Sequence, residues 1–238
     1  MCGRYTHLFT WKQLHRLMGL TTPVELPFRY NVAPTQSAPV MLSGGGARRL
    51  DFFRWGLVPF WAKDPAIGNR TINARSETVA TSPSFRAAFK RRRCLVPASG
   101  FYEWQKVEGE GHKQPWYITP ASEEIFAFAG LWEHWSGKDE HAGEDLHTFT
   151  ILTTTANRAM APIHDRMPVI LSPDQFEPWL DPAVEDGGVL TPMLVPCAPE
   201  RLKLARIGTW VNSPRHEDAR CIEPAEGGAG EGGLFGPR

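Results

Sequence analysis

Arg93-Cys94-Leu95-Val96-Pro97-Ala98-Ser99-Gly100-Phe101-Tyr102-Glu103-Trp104-Gln105-Lys106 decides the fold class. Two runs rich in apolar, β-branched and aromatic residues, Arg93–Ala98 and Phe101–Lys106, stand either side of Ser99-Gly100. Such runs between turn residues predict strands. Working outward, the same signature recurs at Trp116–Thr119, Ile125–Trp132, Thr148–Thr155 and Pro168–Leu171, with a polar, glycine-containing loop at 108–114. Upstream, Gly44-Gly45-Gly46 separates Pro39-Val40-Met41-Leu42 from Leu50-Asp51-Phe52-Phe53-Arg54-Trp55, which predicts a hairpin. Helices are few and short. Thr10-Trp11-Lys12-Gln13 matches a capping box, Trp11, Leu14, Leu17 and Met18 fall at helical spacing, and Gly19 supplies a stop. Ser84–Lys90, Ala156–Ala161 and Asp174–Leu180 are the other helix candidates. The pattern predicts a β-rich α+β fold with a curved, barrel-like sheet and short flanking helices.

The 238 residues show no internal repeat and no linker, so a single domain over residues 2–222 is expected. Glu223–Arg238 is glycine-rich, has only Leu234 and Phe235 as large apolar residues, and reads as a disordered tail. The 26 Lys+Arg balance the 26 Asp+Glu, which excludes a uniformly basic nucleic-acid coat and leaves a local basic groove open. At 42% hydrophobic and 22% charged residues the chain is too apolar for wholesale disorder. No apolar run approaches the roughly 18–20 residues that span a bilayer, so no membrane association is expected. Met1-Cys2-Gly3-Arg4-Tyr5 reads as folded protein rather than a charged-then-apolar leader. A cytoplasmic setting with free thiols is therefore expected, nucleoid-associated if the source is bacterial. Cys2, Cys94, Cys197 and Cys221 lack metal-knuckle spacing. His134, His141 and His147 read as a polar loop without ligand spacing, so neither metal nor cofactor is expected. Nine Trp and thirteen Phe must lie in the core or on a binding surface.

Cys2 carries the most chemistry. The small side chain permits removal of Met1, which would leave an α-amine and a thiol on adjacent carbons. The amine condenses with an aldehyde to an imine, and the thiol closes on the imine carbon to give a thiazolidine. Both nucleophiles are usable near neutral pH, since an α-amine titrates at about 8 and a thiol at about 8.5. The other reading is a small buried residue on a first strand.

Three further segments bear on that choice: Thr71-Ile72-Asn73-Ala74-Arg75-Ser76-Glu77-Thr78, Pro97-Ala98-Ser99-Gly100-Phe101-Tyr102-Glu103-Trp104 and Pro162-Ile163-His164-Asp165-Arg166-Met167-Pro168. Together with Met1-Cys2-Gly3-Arg4-Tyr5, Tyr30-Asn31-Val32-Ala33-Pro34 and Trp55-Gly56-Leu57-Val58-Pro59-Phe60-Trp61 they form an ordered set of six motifs. The set closely resembles the SRAP (SOS response-associated peptidase) family, which shields abasic sites in DNA, and the resemblance runs from Cys2 to about residue 213. It implies binding of single-stranded DNA and of single-strand/double-strand junctions, with covalent attachment to the open-chain aldehyde of an abasic sugar. Carried over by motif, the catalytic set is Cys2, Asn73, Glu103 and His164. Arg4, Arg75 and Arg166 match positions expected to face DNA phosphates, and Asn31 and Trp61 complete the DNA-binding set.

The residue types suit those roles. Glu103 between Tyr102 and Trp104 is placed for a raised pKa, useful in opening the sugar ring. His164 titrates in the right range to move a proton at the imine. Asn73 can hold the amine or the sugar without adding charge. Each arginine offers a planar fork for phosphate, with a structural ion pair as the alternative. Phe60 and Trp61 serve either as a stacking face for bases or as core. Lys90-Arg91-Arg92-Arg93 reads as a solvated helix end rather than a nucleic-acid patch. The expected activity is DNA–protein cross-linking by a monomer, with β-elimination at the imine as a side reaction. Two rivals stand beside it: a self-processing cysteine peptidase using Cys2 and His164, and a DNA-binding module in which Cys2 is structural.

Overall fold

The computed structural model describes residues 2–44, 47–109, 111–122 and 125–225. In chain order its strands are β1 (Tyr5–His7), β2 (Arg29–Val32), β3 (Ser37–Gly44), β4 (Ala47–Trp55), β5 (Asn73–Arg75), β6 (Arg93–Ala98), β7 (Gly100–Lys106), β8 (Lys113–Pro120), β9 (Phe126–Ser136), β10 (Asp145–Thr155), β11 (Arg166–Pro168) and β12 (Leu202–Arg206). The helices are α1 (Trp11–Met18), α2 (Arg86–Arg91), α3 (Phe176–Leu180) and α4 (Gly187–Leu190). Among the described residues no helix is long and apolar enough to cross a membrane.

Two sheets carry the strands. In the larger, the order β10-β4-β3-β6-β9 returns to β10 through the β9–β10 pairing, which closes a five-stranded barrel; β11 and β5 attach to the far end of β10. In the smaller, β12-β8-β7-β1-β2 run antiparallel throughout. The expected barrel-like sheet is thus present. β6 shows how its parts meet. Every residue from Arg93 to Ala98 is buried, because alternate side chains serve different cores. Cys94, Val96 and Ala98 join Tyr5, Phe101, Ile118, Phe128 and Ile151 between the two sheets. Leu95 faces the other way, into Leu14, Met18, Phe89, Leu131 and Trp179 beneath the helices. Each such Leu contributes about 1.5–3 kcal/mol on burial. The inter-sheet core is knit by edge-on rings, Tyr5–Trp55 at 5.2 Å and Phe101–Phe128 at 5.8 Å between centroids.

Local chemistry accounts for the ends of these elements. Gln13 Oε1 accepts from the Thr10 backbone N–H at 2.7 Å, and Gly19 ends α1 at φ 67°. Gly100 opens β7 because any Cβ there would meet the Tyr117 ring at 2.5 Å. The hairpin expected around the glycine run is β3–β4; residues 45–46 lie outside the described residues.

Some expectations change. Ala156–Ala161 is a turn: the Asn157 side chain accepts from the backbone N–H groups of Ala159 and Met160, and Pro162 follows. The basic run at 90–93 does not end as a wholly solvated face. Arg93 is 3% exposed, and its guanidinium donates to the carbonyls of Phe89, Lys90, Trp179, Asp181 and Val184. His134 and His147 lie within β9 and β10 rather than in a loop. Of the expected tail, 226–238 lies outside the described residues. Glu223 and Ala225 hydrogen-bond back to Gly208 and Arg206 beside the end of β12.

Candidate functional site

Strand β1 is gripped on both sides, by β2 and by β7. On the β7 side Tyr5 pairs Phe101, and the Tyr102 N–H donates to the Arg4 carbonyl at 3.0 Å. Continuing that register brings Gly3, and with it Cys2, beside Glu103. Cys2 has no exposed surface and is packed in the inter-sheet core. Its carbonyl accepts from Asn73 Nδ2 at 2.8 Å. Asn73 is delivered by β5, which pairs in parallel with β10 through Asn73 and Ile151. The other end of that amide, Oδ1, is buried with no hydrogen-bond partner among the described residues. Burial pushes the Cys2 thiol well above its ordinary range, and the nearby Glu103 carboxyl adds to the shift; the Arg4 backbone N–H opposes it weakly.

Glu103 is 2% exposed. Burial raises its carboxyl pKa, against neighbouring positive charge that includes His164. The direction matches expectation, but the cause differs. Strand alternation turns Tyr102 and Trp104 to the opposite face, where Tyr102 packs on Tyr117 at 5.1 Å. What dehydrates Glu103 is the face it shares with Phe101, against the core around Cys2.

His164 follows the turn at 158–163 and is partly buried. Its Nδ1 accepts from the Arg166 N–H at 3.0 Å and also lies 2.8 Å from Asp165 Oδ1. The first contact needs a bare nitrogen and the second one that carries a hydrogen, so the two belong to different tautomers of the ring. The loop is tethered to β7 by Gln105, which sits on the Glu103 face. Gln105 Nε2 donates to the Pro162 carbonyl at 3.0 Å, and its Oε1 accepts from Trp116 Nε1 at 3.0 Å. The sequence motifs pointed to Glu103 and not to Gln105; two-residue strand spacing was the available signal.

The arginines divide. Arg75 is exposed on β5, and among the described residues it has no ion-pair partner. Arg4 is half-buried: Nη1 donates to Asn31 Oδ1 at 2.8 Å and to the Val211 carbonyl at 3.0 Å, with the cation 5.9 Å from the Trp104 ring. Arg166 is 8% exposed and grips Glu77 with both Nη atoms at 3.0 Å, while Nη2 also donates to the Thr153 carbonyl at 2.6 Å. That hydrogen bonding holds the Glu77 carboxyl below its ordinary value. For Arg166 the structural ion pair is what forms. Asn31 is fully buried, and its amide donates to the carbonyls of Val211, Ser213 and His216. It holds the 211–216 segment under Arg4 and does not present its amide to solvent. Phe60 and Trp61 are 53% and 45% exposed, on a segment tied to the Asn73 strand by Trp55 Nε1 donating to the Ile72 carbonyl at 2.8 Å. They are surface aromatics rather than core.

The four candidate groups therefore share one place: Asn73 bonded to Cys2, Cys2 within electrostatic reach of Glu103, and Glu103 within reach of His164. The chain is also similar to known proteins over most of its length. The chain is similar to abasic site processing protein YoaM of Bacillus subtilis, 38% identical over 226 residues that cover 94% of this chain and 98% of the relative. It is 35% identical to abasic site processing protein HMCES of Gallus gallus over 228 residues, 83% of this chain and 66% of that protein. A crystal structure of a protein from Bacteroides thetaiotaomicron superposes with a TM-score of 0.83 at 29% identity, covering 94% of this chain and all of that one. Residues 1–214 match the family described as SOS response associated peptidase (SRAP), and the chain belongs to that family.

Proposed function

We propose that this protein processes abasic sites in DNA by covalent capture of the ring-opened sugar through Cys2, once Met1 has been removed. The observation that carries the reading is the enclosure of Cys2: a buried thiol whose carbonyl is held by Asn73, beside a buried carboxyl coupled to His164. The relatives' names supply the substrate class.

The steps follow from the groups in place. Glu103, with its raised pKa, retains a proton further towards neutrality than an ordinary carboxyl. It gives that proton to the ring oxygen as the C1′–O4′ bond breaks, the anomeric hydroxyl loses its proton to water, and the sugar opens to its aldehyde. The Cys2 amine adds to C1′, and His164 assists the proton transfers that expel water and leave an imine. The buried Oδ1 of Asn73 is an acceptor for the amine as it attacks. The thiol then adds across the C=N bond, its proton passing to nitrogen, and the thiazolidine closes. Burial keeps that thiol protonated until then, so the amine reacts first. The rival peptidase, with Cys2 as nucleophile and His164 as its base, would have to draw the proton from a thiol that burial makes harder to ionise. Loss of the proton next to the imine carbon gives strand cleavage by β-elimination as a side reaction.

On this reading the chain acts as a cytoplasmic monomer on single-stranded DNA and single-strand/double-strand junctions. Arg75 meets phosphate directly, Arg4 borders the site, and Phe60 and Trp61 offer a stacking face for bases. Since no base is read at the damaged position, binding is independent of sequence and weakens with salt. Intact-mass measurement after incubation with an abasic oligonucleotide tests it. One adduct per chain is expected from the processed protein and none from Cys2→Ala; equal adduct from both rejects the mechanism.

A further inference from the structure

We propose that the β9–β10 hairpin carries a divalent transition-metal site of the zinc type, built from His134, Asp145 and His147. The register makes it. His147 pairs directly with His134, and Asp145 lies two residues before His147, opposite Ser136. With a side-chain period of two, all three stand on one face. That face is the solvent side: the three are exposed, while Trp135, from the other face, is fully buried. Their ligating atoms all lie within 4.8 Å of one another, with His134 Nε2 2.5 Å from Asp145 Oδ1. Ligands about 2.0–2.1 Å from a tetrahedral zinc sit about 3.3 Å apart, so side-chain adjustment on the order of an ångström closes the set.

The surroundings hold the donors in place. The His147 ring stacks on His134 at 4.7 Å, on Phe53 at 5.1 Å and on Trp132 at 6.3 Å. Ser136 Oγ donates to Asp145 Oδ1 at 3.2 Å, the kind of outer contact that orients a ligating carboxylate. A His–Asp ion pair accounts for His134 and Asp145 but not for a second imidazole converging on the same point. Two imidazoles and one carboxylate suit zinc, cobalt or nickel. Magnesium and calcium would take oxygen ligands throughout. Three protein ligands leave a fourth position for water. His147 is four residues from Ile151, the β10 partner of Asn73 that holds Cys2, or about 13 Å along the strand. The site is therefore separate from the reaction centre, and a bound ion would staple the seam where β9 and β10 close the barrel.

Calorimetric titration of Zn²⁺ into the metal-stripped full chain tests this, alongside thermal melts with and without Zn²⁺ and the visible absorption of the Co²⁺-loaded protein. Expected are one saturable site, a melting temperature that climbs with free Zn²⁺, and a four-coordinate cobalt spectrum. Expected too is at least a tenfold loss of affinity in both His134→Gln and His147→Gln. These positions are exposed, so the variants should keep the parent's circular dichroism and, being remote from Cys2, its capture of abasic DNA. Absence of saturable binding, or affinity unchanged in either His variant, overturns the proposal and leaves the capture reading untouched.

Discussion

Two charged side chains are buried in this molecule to almost the same degree, Arg93 at 3% and Glu103 at 2% exposure, and they are treated in opposite ways. On the helix side, Arg93 has five N–H donors and five carbonyl bonds. It ties α2 and α3 to the barrel, and nothing about it is poised to react. Between the sheets, Glu103 sits where burial raises its pKa, close to a thiol raised by the same cause. A saturated buried charge is structural. Desolvation shifts both groups, Arg93 down and Glu103 up, so what sets Glu103 apart is its neighbours, Cys2 and His164.

Glu103→Gln attacks the reactive half of that contrast and carries the largest expected effect. Adduct formation with an abasic oligonucleotide, followed by quenched gel time courses, should slow by about 10²–10⁴-fold, the usual worth of a positioned acid–base group. Its stability should move the other way. Because the folded-state pKa is raised, the native protein holds the Glu103 proton more tightly than the unfolded chain. Parent stability is therefore lost as pH rises from about 4.3, the unfolded value, through the folded one. Urea melts should show Glu103→Gln gaining on the parent with rising pH and matching it in acid. A variant that is less stable at neutral pH would make Glu103 another Arg93.

Arg93→Ala sharpens the other half. Removing the guanidinium strands a set of buried carbonyls, at a cost of about 3–5 kcal/mol. Denaturant midpoints should fall accordingly, while the folded fraction captures abasic DNA at the parent rate. Next in size is Gln105→Ala. It cuts the tether from β7 to the Pro162 carbonyl and lets the His164 loop drift. Capture should slow about tenfold, with a changed pH–rate profile and little change in melting temperature. Glutamate at 105 keeps the acceptor for Trp116 but loses the donor, so it should not restore the rate.

Much of this was legible along the chain. The strand Arg93–Ala98 was readable to the residue because both its faces are buried, which leaves an unbroken apolar run. β1, β2, β5 and β12 were not. They are three to five residues long, and partners remote in sequence hold them, so no local pattern announces them. Closure of the barrel by β9 on β10 is likewise a matter of pairing. So is the convergence of His134, Asp145 and His147, whose spacing means nothing until the register is known. Cys2, Asn73, Glu103 and His164 could be named from motifs. What each arginine does could not, because a guanidinium fits phosphate and carboxylate equally well. The choice for Arg166 was made by Glu77, 89 residues away.

That choice yields the smallest effect and the finest test of the contrast between engaged and available charge. Arg75 is exposed, whereas Arg166 holds Glu77 and Thr153. Binding of single-stranded DNA measured across a salt series should separate them. Arg75→Ala should weaken affinity uniformly across sequences and reduce the slope of log K against log salt by about one, the signature of one lost phosphate contact. Arg166→Ala should leave that slope near the parent's and instead lower the melting temperature. Part of that loss is pH-dependent. Because Arg166 depresses the Glu77 pKa, the stability the pair lends is present above the unfolded carboxyl value of about 4.3 and fades as pH falls through the lowered one. If Arg166→Ala lost a full unit of salt slope, the Glu77 pair would have to open on DNA binding, and Arg166 would belong with Arg75 on the side of the molecule that reacts.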